Sequence, residues 1–244
     1  MAKRTNPQFQ DRVVVVTGDR RGVGAELTRY LLDSGAKVAG ISRTVDRMVA
    51  EHPDYLPLAA DLGDPQQIVR AFKEVHKQWQ RLDILVNNAA VLTSIHALLM
   101  APSAAQAMLH TNVLGAFYCS TEAAKLMKRN KFGRIVNMTS IAVPLEVIGD
   151  SMYAATKAGV DTLSGVFAKE WSGFGVTCNN IGITAIETDM LRQHPREKID
   201  EVIAKLPIPR YATFDDIVNV FDFFTAERSA YITGQTVYLG GVRN

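Results

Sequence analysis

The residues of this chain best suited to chemistry are Tyr153, Lys157 and Ser140. Tyr153 and Lys157 are four positions apart, so in a helix their side chains project from the same face. A free tyrosine has a pKa of about 10 and exchanges protons poorly at neutral pH, but a nearby cation stabilises the phenolate and lowers that pKa. Ser140 ends an apolar segment, and its hydroxyl can reach the same reacting oxygen. The three residues predict a proton-transfer site that interconverts an alcohol and a carbonyl.

Short apolar segments alternate with amphipathic ones along the whole chain. The predicted strands are 13–16, 37–41, 56–60, 82–86, 134–138, 176–181 and 236–239, and the predicted helices are 25–34, 68–78, 110–129, 153–171 and 215–225. Strands that are apolar on both faces and alternate with helices predict an α/β fold, a doubly wound parallel sheet with helices on both faces. Ligands bind this architecture beyond the carboxyl ends of the strands, and Ser140 lies at such an end.

A glycine-rich turn follows the first predicted strand. Thr17-Gly-Asp-Arg-Arg-Gly-Val-Gly24 has glycines at 18, 22 and 24. Glycines let the backbone turn tightly and approach a pyrophosphate, which can rest on the N-terminus of the following helix. This position, between a strand and a helix, favours a nucleotide site over a turn without a ligand.

The residues that follow the second predicted strand indicate which nucleotide binds. An NAD site usually has a carboxylate here for the ribose 2′-hydroxyl, whereas this chain has Ser42-Arg43. An arginine binds a 2′-phosphate through charge-assisted hydrogen bonds. Arg21 supplies a second cation and Arg20 a further one, so we expect NADP(H). Asp61, after the third strand, is expected to contact the adenine.

Composition sets limits on the function classes to consider. The chain has 244 residues, 47% of them hydrophobic and 21% charged, which is typical of a globular protein with a sizeable core. A net charge of +2 gives no support for nucleic-acid or membrane-surface binding. Cys119 and Cys178 lie in apolar surroundings without metal-ligand spacing and are expected to be reduced core thiols. With no signal-peptide pattern at the start and no segment that could span a bilayer, we expect a cytoplasmic protein.

Taken together, these motifs resemble the short-chain dehydrogenase/reductase family over nearly the whole chain. The shared elements, in order, are TGxxxGxG at 17–24, Asp61-Leu62, Asn87-Asn88-Ala89-Ala90, Asn112, Ser140 and Tyr153-xxx-Lys157. The segments 186–190 and 231–241 look most like the 3-oxoacyl-[acyl-carrier-protein] reductase branch. The resemblance implies a single Rossmann-like domain over 1–244, with a short substrate lid at about 186–206, and a homotetramer built through the helices at 110–129 and 153–171.

The resemblance also implies a role for each matching residue. Tyr153 would protonate the carbonyl oxygen, Ser140 would orient that oxygen, Lys157 would lower the tyrosine pKa and bind the nicotinamide ribose, and Asn112 would hold a water in a proton relay. Asn88 and Ala89 would line the cofactor with backbone groups, and Ile186 and Thr188 would contact the carboxamide. The full expected cofactor set is Thr17, Gly18, Arg20, Arg21, Gly22, Val23, Gly24, Ser42, Arg43, Asp61, Leu62, Asn88, Ala89, Tyr153, Lys157, Ile186 and Thr188.

Three positions depart from the family pattern. Ile183-Thr184 stands where Pro-Gly is usual, and a β-branched pair is stiffer than glycine in a loop that shapes the nicotinamide pocket. Ala90 replaces a glycine. Asp19 is expected to place a negative charge near the cofactor phosphates, offset by Arg20 and Arg21.

The expected substrate walls are 143–148 and the lid, which are largely apolar and fit an acyl chain or a hydrophobic ketone better than a sugar. An acyl carrier protein is acidic and would be favoured by cations near the site. Such a cluster ends the long predicted helix: Lys125, Lys128, Arg129, Lys131 and Arg134. Cations at a helix C-terminus stabilise it without any partner, however, and Phe174 stands where carrier-protein reductases tend to have an arginine.

The leading hypothesis is an NADPH-dependent reductase of a ketone, with a 3-oxoacyl thioester as one candidate substrate. Two alternatives stay open: an NADP-dependent secondary-alcohol dehydrogenase of secondary metabolism, and a weakly catalytic nucleotide-binding regulatory subunit, which the Ile183-Thr184 loop motivates. A metal is not expected, because none of the five histidines has ligand spacing with another.

Overall fold

The computed structural model describes residues 5–45, 52–187 and 196–242. Seven strands form one sheet in the order β3-β2-β1-β4-β5-β6-β7, and every neighbouring pair is parallel. The strands are β1 Val13–Thr17, β2 Lys37–Ser42, β3 Tyr55–Ala59, β4 Ile84–Asn87, β5 Gly133–Ser140, β6 Val176–Ile183 and β7 Thr236–Tyr238.

Helices cover both faces of this sheet. They are α1 Gly22–Asp33, α2 Pro65–Trp79, α3 Pro102–Met108, α4 Ala116–Asn130, α5 Ala142–Leu145, α6 Ser151–Trp171, α7 Arg196–Ala204 and α8 Phe214–Thr225. A π-helical segment, Leu109–Gly115, joins α3 to α4. The predicted doubly wound parallel sheet is thereby confirmed.

Alternate residues of each strand enter two separate cores, which explains why the strands are apolar throughout. Val14 and Val16 of β1 pack with α1 and α8, among Leu27, Leu31 and Phe221. The intervening Val13 and Val15 pack on the other face with residues of α2, α4 and α6, including Phe72, Met127 and Phe167. Since successive strand residues point to opposite faces, a strand with a helical layer on each side must be apolar at every position.

Two helices begin earlier than their apolar periodicity predicts. The side chain of Asp64 accepts hydrogen bonds from the backbone N–H groups of Gln66 and Gln67, and Pro65 occupies the first turn, so α2 begins at residue 65 rather than 68. Helix α1 begins at Gly22 rather than at Ala25, inside the glycine-rich turn. This earlier start brings the first turn of α1 to the carboxyl end of β1.

The predicted continuous helix 110–129 is wrong in its first part. That part is the π-helical segment Leu109–Gly115, and only 116–130 is regular α-helix. Asn112 lies at the centre of the widened turn and bonds to two other parts of the chain, Val91 and Thr156. A π-bulge re-aims side chains in this way and often marks a functional site.

Candidate functional site

A long cleft runs across the carboxyl ends of the strands. Its volume is about 1770 Å³, more than the roughly 300–1,000 Å³ of an ordinary small-molecule site. The end near β2 is lined by Arg20, Arg21 and Arg43, and we call it the arginine end. The opposite end is lined by Ser140, Tyr153 and Lys157, and we call it the catalytic end. The cleft is large enough for a dinucleotide and a substrate placed end to end.

The glycine-rich turn is closely fitted to its neighbours. Gly18 has a positive φ of 69°, and a side chain added there would come within 2.8 Å of the Cα atom of Ala89. Its N–H donates to the carbonyl of Ile41 at 2.8 Å, which ties the turn to β2. A side chain at Gly24 would overlap the carbonyl oxygen of Gly18. The positive φ at Gly18 and the close approaches at Gly18 and Gly24 can be met only by glycine. The turn can therefore pack directly against the first turn of α1.

The first turn of α1 is suited to an anion. Its N-cap residue, Arg21, makes no side-chain capping bond. The first N–H groups of a helix lack intrahelical acceptors and carry partial positive charge, which binds phosphate oxygens. Gly22, Val23 and three arginine side chains line the cleft at this point. These features fit the pyrophosphate of a nicotinamide dinucleotide.

Thr17 and Gly24, both expected in the cofactor set, are not among the cleft-lining residues. The hydroxyl of Thr17 is buried, donates to the carbonyl of Val86 at 3.3 Å and accepts from the N–H groups of Asn88 and Ala89 at 3.0 and 3.1 Å. The side-chain amide of Asn88 donates to the carbonyls of Thr17 and Gly18 at 3.0 and 3.1 Å. Thr17 therefore joins the ends of β1 and β4 from beneath, while Asn88 and Ala89 line the cleft.

At the arginine end, all three arginines are exposed and line the cleft. Arg20 donates to the hydroxyl of Thr44, beyond the end of β2. Asp61 and Leu62 line the neighbouring wall, with the carboxylate of Asp61 accepting from the N–H of Gly63 at 2.9 Å. The predicted cofactor residues after β1, β2 and β3 therefore meet in one place.

Asp19 does not lie where the sequence predicts. Its side chain is only 5% exposed and packs against Gly40 and Ser42 of β2. It accepts a hydrogen bond from Ser42 Oγ at 2.6 Å and another from the hydroxyl of Tyr55. A side chain at Gly40 would overlap this carboxylate, so β2 carries glycine at that position. Ser42, although it lines the cleft, has its hydroxyl engaged by Asp19.

At the catalytic end, Ser140 is the last residue of β5, and Tyr153 and Lys157 lie one turn apart on α6. Ser140 Oγ accepts from the N–H of Ala142 at 3.1 Å and lies within hydrogen-bonding reach of the Tyr153 phenol. Lys157 is 4% exposed, donates to the carbonyl of Met138 at 2.7 Å, and has its Nζ 5.6 Å from the centre of the Tyr153 ring. The three predicted residues thus converge on one wall of the cleft.

Burial dominates the electrostatics of this wall. It raises the pKa of Tyr153 to about 12, an effect that the hydrogen bond from Ser140 opposes and the charge of Asp150 reinforces. The direction is opposite to the lowering that the Tyr/Lys spacing predicts, because loss of hydration disfavours the phenolate more than the neighbouring groups favour it. Burial also lowers the pKa of Lys157 to about 8, against the opposing charge of Asp161. Tyr153 is therefore a protonated acid at neutral pH.

Asn112 lies beneath the cleft rather than in its wall. Its side chain accepts from the N–H of Val91 at 2.8 Å and donates to the carbonyl of the same residue at 2.9 Å. It also donates to the hydroxyl of Thr156 at 3.1 Å. Asn112 thereby holds the segment after β4 against the helix of Tyr153 and Lys157, and its role in holding a water stays a prediction.

The loop after β6 closes the catalytic end. Ile183 is the last residue of β6, its carbonyl accepting from Ile141 N–H at 3.1 Å, and Thr184 is buried. Both line the cleft, as do Ala185 and Ile186. Thr188, expected to contact the carboxamide, falls outside the described residues, as do lid positions 188–195. The remaining lid contributes residues of α7, among them Lys198, Ile199 and Val202.

One residue that the sequence reasoning missed is Asp161. It follows Lys157 by four positions on α6, and its carboxylate is the charge that opposes the lowered pKa of Lys157. The signal was present in the sequence as a continuation of the Tyr153/Lys157 spacing, Tyr-xxx-Lys-xxx-Asp.

The basic cluster at the end of α4 is smaller than the sequence indicates. Arg134 is 2% exposed and donates to the carbonyls of Gly133, Gly175, Ala226 and Glu227. It joins chain segments below the sheet and presents no charge to a partner. The other four cations, Lys125, Lys128, Arg129 and Lys131, are exposed.

The described parts of the chain contain no group of three or more histidine, cysteine, aspartate or glutamate side chains that could hold a metal ion. No helix within residues 5–45, 52–187 and 196–242 is both long and apolar enough to cross a membrane. Cys119 and Cys178 are buried free thiols.

Comparison with known proteins agrees with the geometry of the cleft. Residues 12–199 match the model of the short chain dehydrogenase family. The chain belongs to this family. It is therefore an oxidoreductase that uses a nicotinamide cofactor, and the family predicted from the motifs is confirmed.

Relatives of known or suggested activity cover nearly the whole chain. The 3-oxoacyl-[acyl-carrier-protein] reductase of Staphylococcus aureus strain Mu50 is 30% identical over 235 residues, which are 93% of this chain and 96% of the relative. The enzyme of the same description from Escherichia coli K12 is 29% identical over 96% of this chain and 97% of its own. The crystal structure of a putative gluconate dehydrogenase from Agrobacterium tumefaciens superposes with a TM-score of 0.88 at 29% identity, covering 98% of each chain.

Proposed function

We propose that this short-chain dehydrogenase is an NADPH-dependent reductase of a hydrophobic ketone, with a 3-oxoacyl thioester as the favoured substrate class. The observation that carries the proposal is the convergence of Ser140, Tyr153 and Lys157 on one wall of a cleft whose other end carries three arginines. A protonated tyrosine in the wall of the cleft is suited to giving a proton to a carbonyl oxygen. It is less suited to accepting a proton from an alcohol, which needs the phenolate.

In the proposed mechanism each residue of the catalytic end has a distinct task. When bound, the nicotinamide supplies the hydride that reduces the carbonyl carbon. Ser140 donates a hydrogen bond that orients the carbonyl oxygen, and Tyr153 gives that oxygen its proton. Lys157 contributes the positive charge that stabilises the phenolate left behind, since opposite charges nearby favour the ionised form. Asn112 holds helix α6, which carries Tyr153 and Lys157, in a fixed position against the segment after β4.

The choice of NADPH over NADH follows from the charges at the arginine end. Arg20, Arg21 and Arg43 are exposed cations on the cleft wall, available for a 2′-phosphate. Asp19 does not oppose this, because its carboxylate is buried against β2 and engaged by two hydroxyl groups. Asp61 lines the wall after β3, as expected of a residue near the adenine.

The substrate class is argued from the walls around Tyr153. Leu145, Val147 and Ile148 line one side, and Ile186, Ile199 and Val202 line the other. Apolar walls favour an acyl chain, in agreement with the activity named for the S. aureus and E. coli relatives. A polar polyol substrate, which the A. tumefaciens neighbour suggests, is the competing class, because Glu146, Lys198 and Glu201 line the same cleft and offer partners for its hydroxyl groups.

We extend the proposal to assembly and partners. Helices α4 and α6, with the π-helical segment, would form the faces of a homotetramer, since Leu109, Leu114 and Val166 are 40–45% exposed on them. Lys125, Lys128 and Arg129 are exposed cations that would attract an acidic carrier protein. They end the helix that leads into the amino end of β5, however, so within one chain they lie away from the cleft at the carboxyl ends of the strands. Two buried free thiols are in keeping with a cytoplasmic location.

A direct assay tests the reaction. The purified protein is mixed with NADPH, and separately with NADH, and nicotinamide absorbance is followed with 3-oxoacyl thioesters, simple ketones and aldonic-acid ketones. We expect a loss of absorbance with NADPH and the oxoacyl thioesters. Faster turnover of the polar ketones would overturn the substrate class, equal rates with NADH would overturn the cofactor choice, and binding of cofactor without any turnover would favour a regulatory subunit.

A further inference from the structure

Helix α6 presents three ionisable side chains at equal intervals along one face. Tyr153, Lys157 and Asp161 are spaced by four residues, so each lies about one turn from the next. Tyr153 and Lys157 line the cleft, whereas Asp161 does not, and lies deeper along the helix. Tyr153 and Lys157 belong to the proposed proton-transfer site, whereas the proposed mechanism assigns no task to Asp161.

Asp161 is held in place by the last strand of the sheet. One carboxylate oxygen accepts from the hydroxyl of Tyr238 at 2.7 Å, and the other accepts from Thr236 Oγ1 at 3.4 Å. Tyr238 is itself 9% exposed, and Thr139 of β5 lies beside the carboxylate. Burial raises the pKa of Asp161 above its ordinary value, and these hydroxyl groups and the charge of Lys157 oppose that rise by favouring the ionised form. The carboxylate is thereby held in a half-buried position, where its charge acts on Lys157.

A nearby negative charge stabilises the protonated form of a buried lysine such as Lys157. Its ammonium is buried and donates to the carbonyl of Met138, a neutral acceptor. Burial lowers its pKa to about 8, and Asp161 is the charge that raises it. The other titratable groups around the pair are Tyr153 and Asp150 on the cleft side and Tyr238 from β7. Tyr153 is neutral at pH 7, because burial raises the pKa of its phenol to about 12.

We propose that Asp161 is a positioning residue that keeps Lys157 protonated at the catalytic end, with Tyr238 holding the carboxylate against α6. The inference rests on the proposed function in one respect, that the positive charge of Lys157 serves the reaction. The inference also gives strand β7 a role, because the hydroxyl of Tyr238 holds the carboxylate that acts on Lys157. Without the carboxylate, Lys157 would lose its proton close to neutral pH.

The test measures the ionisation of Lys157 directly and needs no substrate. Lysine side chains are labelled with ¹³C at the ε-carbon, the Lys157 signal is assigned by its loss in Lys157→Met, and its chemical shift is followed from pH 6 to pH 11 on the full chain. We expect Asp161→Asn to move the Lys157 titration to lower pH by roughly one unit. Tyr238→Phe should move it in the same direction by less, and Asp161→Glu should restore most of the wild-type value.

Glu170→Gln is the matched control, since it removes one carboxylate from the exposed end of the same helix. It should leave the Lys157 titration in place. If Asp161 only anchors β7 to α6, Asp161→Asn will lower the free energy of unfolding while Lys157 titrates as in the wild type, and that result overturns the proposal. Should Asp161→Asn not fold, an unmoved titration in Tyr238→Phe overturns it as well.

A second measurement separates this inference from the proposed reaction. In the reductase assay, the alkaline limb of the kcat/KM profile should move to lower pH in Asp161→Asn, in step with the Lys157 titration. If the protein reduces no substrate of the panel, the proposed function fails while the nuclear magnetic resonance titration still decides the role of Asp161. If the limb stays in place although the Lys157 titration has moved, the link to catalysis is overturned.

Discussion

The arginine end and the catalytic end of the cleft carry positive charge in opposite ways. Arg20, Arg21 and Arg43 are exposed to solvent, whereas Lys157 is buried beside Tyr153. An exposed cation keeps its hydration, and its interactions with other charges are weakened by added salt. A buried cation loses that hydration and depends on every group around it. Substitutions near the arginine end are therefore expected to affect its cations little, whereas substitutions near the catalytic end are expected to change the pKa of Lys157.

Behind each end of the cleft, outside its lining, lies one carboxylate that accepts hydrogen bonds from a tyrosine and from a smaller hydroxyl residue. Asp19 accepts from Tyr55 and Ser42, and Asp161 from Tyr238 and Thr236. Beside Asp161 stands the buried ammonium of Lys157, whose charge acts on it. Asp19 instead fills the space that Gly40 leaves open in β2. The same arrangement of hydroxyl groups thus serves packing at one end and ionisation at the other.

The largest expected effect is the loss of the proton donor at the catalytic end. Tyr153→Phe removes the hydroxyl and keeps the ring, so kcat should fall by about 10³, within the range for a general acid. Steady-state kinetics with an accepted ketone measure this. NADPH affinity and the melting temperature should change little, and turnover within tenfold of the wild type would mean that another group supplies the proton.

The next effect is a pH dependence of stability that comes from Lys157. Its pKa is about 8 in the folded protein and about 10.5 when unfolded, so between these values the unfolded state binds more protons and the unfolding free energy rises with pH. The penalty is fully present below pH 8 and amounts to about 3 kcal/mol. Urea denaturation should therefore show Lys157→Met gaining stability over the wild type below pH 8 and losing that advantage by pH 10.5.

A pH-independent difference between these two proteins would show that Lys157 is charged as easily in the fold as in water. The catalytic end would then resemble the arginine end, and the contrast between them would fail.

The next prediction concerns the packing of Asp19 against β2 and a change of intermediate size in the free energy of unfolding. Gly40→Ala places a methyl group against the buried carboxylate and should cost about 2 kcal/mol. In an Asp19→Ala background the same change should cost about 1 kcal/mol less, because the nearer of the two colliding groups is gone while the hydroxyl of Tyr55 remains. Urea denaturation of the four proteins measures this, with Gly165→Ala, which meets no atom within 4 Å, as the control. Additive costs would mean that the carboxylate does not occupy that space.

The smallest expected effect lies at the arginine end. Arg43→Ala should weaken NADPH binding by about tenfold, at the lower end for a hydrogen bond to a charged group, and leave NADH binding unchanged. Fluorescence titration at low and high salt measures both, and the NADPH effect should shrink as salt is added. Arg29→Ala, an exposed arginine of α1 paired with Glu26, is the matched control. An equal loss for both cofactors would remove the argument for the 2′-phosphate.

The interpretation of the sequence was most successful where function depends on short segments. The turn at 17–24, the arginines after β1 and β2, and the Tyr153/Lys157 pair all lie in the cleft or directly support it. Each depends on local geometry, a tight turn or one helix face, that residue types and spacing specify. The apolar strands were predicted for the same reason, because burial on both faces leaves a continuous apolar pattern.

The failures involve contacts between distant segments. The π-helical turn is accompanied by contacts of Asn112 with Val91 and Thr156. The buried Arg134 donates to carbonyls of two distant segments, at Gly175 and at 226–227. The direction of Asp19 depends on Tyr55, a residue 36 positions away. None of these partners follows from spacing along the chain.

The sequence by itself determined the fold class and the family, and it pointed to the glycine-rich turn and to the side chains that we propose to react. These depend on periodicity, on glycine geometry and on which side chains can carry a proton. Only the tertiary structure decided how those groups ionise and which neighbours act on them. The pKa of Tyr153 rises and that of Lys157 falls because the fold removes water from both, and the carboxylate that opposes the change in Lys157 is held by a strand near the end of the chain. Hydration and the proximity of charges are properties of the packed molecule.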